Sequence, residues 1–113
     1  STVSPYMLGL INRRGKVMWV LDLSQMLGLK CMEFIPRNYS ALVIKVGTFL
    51  SALAVHQIDG ISRIDKNTIG MVPNYISATL VPYLEGCVLQ DKSVSLVLDI
   101  EAIAHSSLLQ LNP

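Results

Sequence analysis

Two stretches of this chain, 77 positions apart, follow one pattern, and that repetition limits the fold more than any single motif does. YMLGLINRRGKVMWVLDLSQML (6–27) laid over YLEGCVLQDKSVSLVLDIEAIA (83–104) matches Tyr6 with Tyr83, Gly9 with Gly86 and Val17 with Val94. It also matches Val20-Leu21-Asp22 with Val97-Leu98-Asp99. Six identities in 22 positions carry little alone, but no gap is needed and the apolar pattern coincides throughout. Each copy reads as strand, tight turn, strand and capped short helix.

The turn of the first copy is RRG, where Gly15 supplies the positive φ of a tight hairpin; in the second it is Asp91-Lys92. Asp22 and Asp99 follow the second strand of each copy and are expected as helix N-caps, accepting N–H bonds from the first turn. Gln25, three positions after Asp22, can complete a capping box, and Gly28 is placed to end that helix. Glu101 puts negative charge where the dipole of the second helix favours it. Gly9, Gly15, Asp22, Gly86 and Asp99 are thus the expected structural turn and cap positions.

Between the copies, SALVIKV and FLSALAVHQI form a further hairpin around Gly47-Thr48. Both are near-continuous apolar runs, the pattern of strands buried on both faces. GISRIDKNTIGMVPNYISATLVP then reads as a strand to about Ile64 and a long irregular connection. Two repeated units with a hairpin between them point to two small barrels or one pseudo-symmetric pair, rather than a single open sheet.

At 113 residues the chain is expected to be one domain, 1–113. Lys plus Arg is 9 against 8 for Asp plus Glu, so no global field draws it to nucleic acid or acidic membranes, and electrostatics must be local. Hydrophobic residues make up 51% and charged residues 15%, which leaves apolar surface for partners or further chain to cover. The longest uncharged apolar run, VGTFLSALAV, has ten residues, half of the roughly 20 a spanning helix needs. STVSPYMLGL lacks the basic region of a signal peptide, so a cytoplasmic location without membrane insertion is expected. Cys31 and Cys87 are isolated in apolar surroundings and are expected as two buried free thiols.

The run G-x-x-N-x-R-G-x-[VI]-x-x-V-x-D-L, present as Gly9, Asn12, Arg14, Gly15, Val17, Val20, Asp22 and Leu23, resembles the CheW-like domain, an adaptor module of bacterial chemotaxis. ALVIKVGTFLSALAVHQIDGI is similar to that family's central hairpin, and YLEGCVLQDKSVSLVLDIEAI to its closing unit. The resemblance implies an all-β fold with short helices, built as two intertwined five-stranded SH3-like barrels and lacking catalytic activity. It further implies an adaptor that bridges a CheA-type histidine kinase to the cytoplasmic tip of a methyl-accepting chemoreceptor. The family has two further strands before the position of Pro5, so one barrel is expected to be incomplete and its edges to pair with a second copy as a homodimer by strand exchange. Trp19 stands where the family commonly has proline, and His56 where it commonly has aspartate.

Asn12, Arg13, Arg14 and Lys16 are the candidate partner-binding residues. The basic tip admits three readings: a phosphate site, a solvated turn, or a protein contact in which Arg14 offers its planar fork to a carboxylate. No Gly-rich phosphate loop accompanies it, and Asn12 is placed to bond the backbone at the turn. Asp22 and Asp99 are accounted for as caps rather than as an acid–base pair. His56 and His105 lack ligand spacing, and His56 is expected as an exposed polar residue at a strand end. No metal, cofactor or catalytic constellation is therefore expected. Trp19 shares a strand face with Val17 and Leu21, opposite Met18 and Val20; one face is expected as core and the other as covered surface. The alternative function is a small β-barrel nucleic-acid-binding module. That reading calls for a basic stripe with exposed aromatics, whereas only seven aromatics are scattered along the chain.

Overall fold

The structure, a computed structural model, describes residues 6–29 and 39–111. Its first unit is a hairpin of β1 (Met7–Arg13) and β2 (Lys16–Asp22), followed by one helical turn, α1 (Leu23–Met26). Arg14 (φ 52°) and Gly15 (φ 78°) form the turn, both in the left-handed region that two-residue hairpin turns demand. A second hairpin pairs β3 (Ser40–Val46) with β4 (Phe49–Val55). The two hairpins join through a parallel pairing of β2 with β4, Trp19 beside Ser51 and Leu21 beside Leu53, giving a four-stranded sheet in the order β1-β2-β4-β3. Ser51 is fully buried in this seam and its hydroxyl donates to the Trp19 carbonyl at 3.2 Å, which explains a serine inside an apolar strand.

The repeated unit returns as β5 (Leu84–Gln90), β6 (Ser93–Leu98) and α2 (Ile100–Leu111). The two copies share their bulge, their closing backbone bond and their helix cap. Both first strands carry an extra residue, Met7↔Leu21 being followed by Gly9↔Val20 and Leu84↔Leu98 by Gly86↔Val97. The Asp22 N–H donates to the Tyr6 carbonyl at 2.7 Å and the Asp99 N–H to the Tyr83 carbonyl at 2.8 Å. The Asp22 carboxylate accepts from Gln25 N–H at 3.3 Å, and that of Asp99 from Ala102 N–H at 3.0 Å. Gly9 and Gly86 therefore sit at bulges inside strands rather than at turns. The capping box is half formed, because Tyr6 already accepts the Asp22 N–H that the Gln25 side chain would need. Gly28 (φ 75°) closes α1 as expected, its N–H donating to Gln25 O.

Strand alternation divides the four-stranded sheet into two apolar faces, and each carries core. On one face Leu21, Leu53 and Ile44 pack with Leu23, Met26 and Leu27 of the first helical segment and with Ile103 and Ala104 of α2; Trp19, half-buried, packs against this cluster. Full burial of each such leucine or isoleucine is worth about 1.5–3 kcal/mol. Met18, Val20, Ala52 and Ala54 form a smaller cluster on the other face, with Ile11 and Leu50 against it. Trp19 does lie on the face of Leu21, but the opposite face is buried as well rather than merely covered. β4 is buried on both faces as its apolar run predicts; β3 is not, with Leu42 and Val43 exposed, because among the described residues it is an edge strand of the sheet.

The strand expected to reach Ile64 ends instead at Val55. Beyond it Ile58, Ile61 and Ile64 are exposed, and among the described residues this segment meets no strand that would pair with it. The chain then passes through two 3-10 turns, Lys66–Thr68 and Val81–Tyr83. Gly70 and Cys87 exchange backbone bonds of 2.8 and 3.0 Å, laying the connection beside β5. A Cβ on Gly86 would collide with the Gly70 carbonyl and the Ile69 side chain, so this bulge requires glycine for close approach. Cys87 is a free thiol, half-buried rather than buried, because only the edge of the Gly70 segment covers it; its Sγ lies 3.1 Å from Met71 O. Cys31, Pro5 and the STVS start of the chain lie outside the described residues.

Candidate functional site

Because β2 and β4 run parallel, the turns at Arg14-Gly15 and Gly47-Thr48 lie at the same end of the sheet. Arg13, Arg14 and Lys16 come from the first hairpin and Lys45 from the second. Four of the chain's nine lysines and arginines thus gather at one end of a molecule whose net charge is only +1. Between the hairpin ends lies a groove of about 370 Å³, lined by Arg13, Arg14, Lys16, Met18, Val43 and Leu50. A second hollow, of about 480 Å³, continues past Lys16 and Leu50 to Lys45 and Thr48. Among the described residues no carboxylate and no aromatic ring lines either one.

Strand pairing sets Arg13 directly opposite Lys16. Like charges in that position repel and weaken a hairpin by a few tenths of a kcal/mol to about 1 kcal/mol. The arrangement is unfavourable for the isolated sheet and favourable once an anion approaches. Arg14, at the tip with positive φ, holds its guanidinium on an exposed turn, where two parallel N–H bonds to a carboxylate are sterically open.

Among the remaining candidates Asp22, Asp99 and His56 lie where their sequence roles put them, whereas Asn12, like the bulge glycines Gly9 and Gly86, does not. Asn12 is exposed on β1 opposite Val17 rather than in the turn, which Arg14 and Gly15 make by themselves. Asp22 and Asp99 cap their helices, at opposite ends of their hairpins from the turns. His56 is exposed immediately after β4. Met18, Val43, Lys45, Thr48 and Leu50 belong to the basic end but carry no sequence motif. Only the parallel seam brings the second hairpin beside the first, and no local pattern encodes that pairing.

The CheW-like domain family model matches residues 1–108, and the chain belongs to that family. Among solved structures it is similar to the scaffolding protein TtCheW from Thermoanaerobacter tengcongensis, with a TM-score of 0.71 and 21% sequence identity. The match covers 85% of this chain and 64% of that chain, and at this identity the likeness speaks to the fold. The mostly β architecture with two short helices is accordingly the SH3-like fold of CheW. No curated protein sequence matches the chain. No described helix is long and apolar enough to cross a membrane.

Proposed function

We propose that this chain is a non-enzymatic signalling adaptor of chemotaxis or a related motility pathway, working on the cytoplasmic side of the membrane. It couples a CheA-type histidine kinase to the cytoplasmic tip of a methyl-accepting chemoreceptor. Family membership supports the class, and one observation supports the contact site: Arg13, Arg14, Lys16 and Lys45 converge at the paired hairpin ends beside apolar surface. Protein association uses such mixed surfaces, with arginine forks for carboxylates and apolar anchors beside them.

The test is co-sedimentation of the protein with its candidate kinase and receptor fragments. Arg14→Glu should lower retention about tenfold or more while leaving the fold intact, since charge reversal at an interface costs several kcal/mol. Retention of short oligonucleotides but of neither protein would replace the adaptor with the nucleic-acid-binding reading.

The adaptor also pairs with a second copy of itself. Among the described residues β1 and β3 are the outer strands of the sheet, and β3 exposes Leu42 and Val43 along seven residues with a single lysine to discourage pairing. Light scattering at high concentration should then show dimers; a strictly monomeric species counts against strand pairing between copies.

A further inference from the structure

We propose that the groove between the two hairpin ends receives an acidic segment of a partner protein, with one apolar side chain seated on Met18, Val43 and Leu50. Carboxylates of the same segment lie on Arg13, Arg14 and Lys16. The proposal rests on the adaptor reading and adds the chemistry of what is bound.

Three observations converge on it. Charge comes first: three cations form the rim, Lys45 extends the basic surface past Lys16, and among the described residues no carboxylate lines either hollow. An anionic occupant relieves the repulsion between Arg13 and Lys16, which the hairpin otherwise sustains. The floor comes second. Met18 is buried, Leu50 is half-buried and Val43 is 40% exposed, so the groove is a ledge on the smaller apolar cluster and not only a ring of charges. A purely ionic site for phosphate would have no use for that ledge.

Size comes third. About 370 Å³ lies near the bottom of the roughly 300–1,000 Å³ of ligand pockets, enough for one or two side chains rather than a helix laid along its length. Single-stranded nucleic acid, the other polyanion such a rim could attract, binds through bases stacked on aromatic rings. Among the described residues no ring lines this groove, and Trp19 packs on the opposite face of the sheet.

The probe is a short peptide with a central leucine flanked on each side by two glutamates, added to the isotope-labelled protein and followed through backbone amide signals. Lys16, Val43 and Leu50 should shift on titration. Replacing the peptide's leucine by serine should weaken binding about tenfold or more, as loss of a buried anchor does. Equal binding by the serine peptide, no shift at these amides, or the same shifts with a short oligonucleotide each overturns the proposal. Val43→Ser separates it from the adaptor reading, since Val43 sits on an edge strand and is substituted without opening the core. If kinase and receptor fragments are retained by wild type and by Val43→Ser alike, the groove proposal fails and the adaptor stands. If neither fragment is retained while the leucine peptide still seats, the adaptor fails and the groove stands.

Discussion

Lys92 holds a φ of 67° at the place in the second hairpin where the first has Gly15 at 78°. A lysine in the left-handed region bears a steric cost that glycine does not, and part of that cost returns as the greater freedom glycine loses on folding. Lys92→Gly should therefore stabilise the protein by about 0.5–1 kcal/mol, and Gly15→Ala should destabilise it by a similar amount. Urea denaturation of the two variants checks both signs.

Gly86 and Gly9 stand at equivalent bulges, yet only Gly86 faces another segment. A Cβ at Gly86 meets Gly70 and Ile69, whereas one at Gly9 meets nothing within 4 Å. Gly86→Ala should cost about 1–3 kcal/mol through overpacking. It should also raise hydrogen exchange at the Gly70 and Cys87 amides, which bond each other across that contact. Retained protection at both amides would mean the connection absorbs the methyl group without parting from β5.

Lys16→Glu turns a like-charged pair with Arg13 into an opposite-charged one. The variant should be more stable than wild type by a few tenths of a kcal/mol to about 1 kcal/mol. It should also bind kinase or receptor fragments less well, since it removes a cation from the groove. Thermal denaturation and co-sedimentation on one preparation test this opposition of stability and function.

Ser51→Ala removes the one side-chain bond across the parallel seam among the described residues, leaving the Trp19 carbonyl without its hydroxyl donor. The expected loss is about 1 kcal/mol. Leu53→Ala, two residues along the same strand and 1% exposed, should cost about 2–5 kcal/mol by leaving a cavity. Denaturant midpoints for the pair give the balance of hydrogen bonding and packing in the seam.

Asp22→Ala and Asp99→Ala remove caps of the same geometry from helices in different settings. Each should cost about 0.5–2 kcal/mol. The Asp22 variant should lie at the upper end, because Asp22 is buried and Gln25 N–H there has less access to replacement water. Circular dichroism with urea melts of both variants measures the difference.

The repeated unit was legible in the sequence because everything in it is local. Turn residues, caps and strand alternation act within a few positions, and each recurs at the second copy. Legibility ended where a distant segment took over. The Asp22 N–H goes to Tyr6 rather than to Gln25, because the carbonyl just ahead of β1, 16 residues away, is already in place. SALVIKV and FLSALAV look alike as sequences, yet one is an edge and the other a centre, a distinction made by the partner strand. Of the basic end, Arg13, Arg14 and Lys16 stood out as a cluster. Lys45, Val43 and Leu50 did not, because thirty residues of chain separate them from the first turn and only tertiary pairing reunites them.

The parallel seam between β2 and β4 also has a kinetic meaning. The three hairpins, at β1–β2, β3–β4 and β5–β6, each close a loop of two residues and can form within microseconds. The seam must instead bring Trp19 to Ser51 across the whole intervening chain, and its loop-closure entropy is met before the apolar contacts of Leu21 and Leu53 reward it. Assembly of the sheet is thus gated at that one junction. The basic end, whose two halves come from different hairpins, does not exist until that seam has formed.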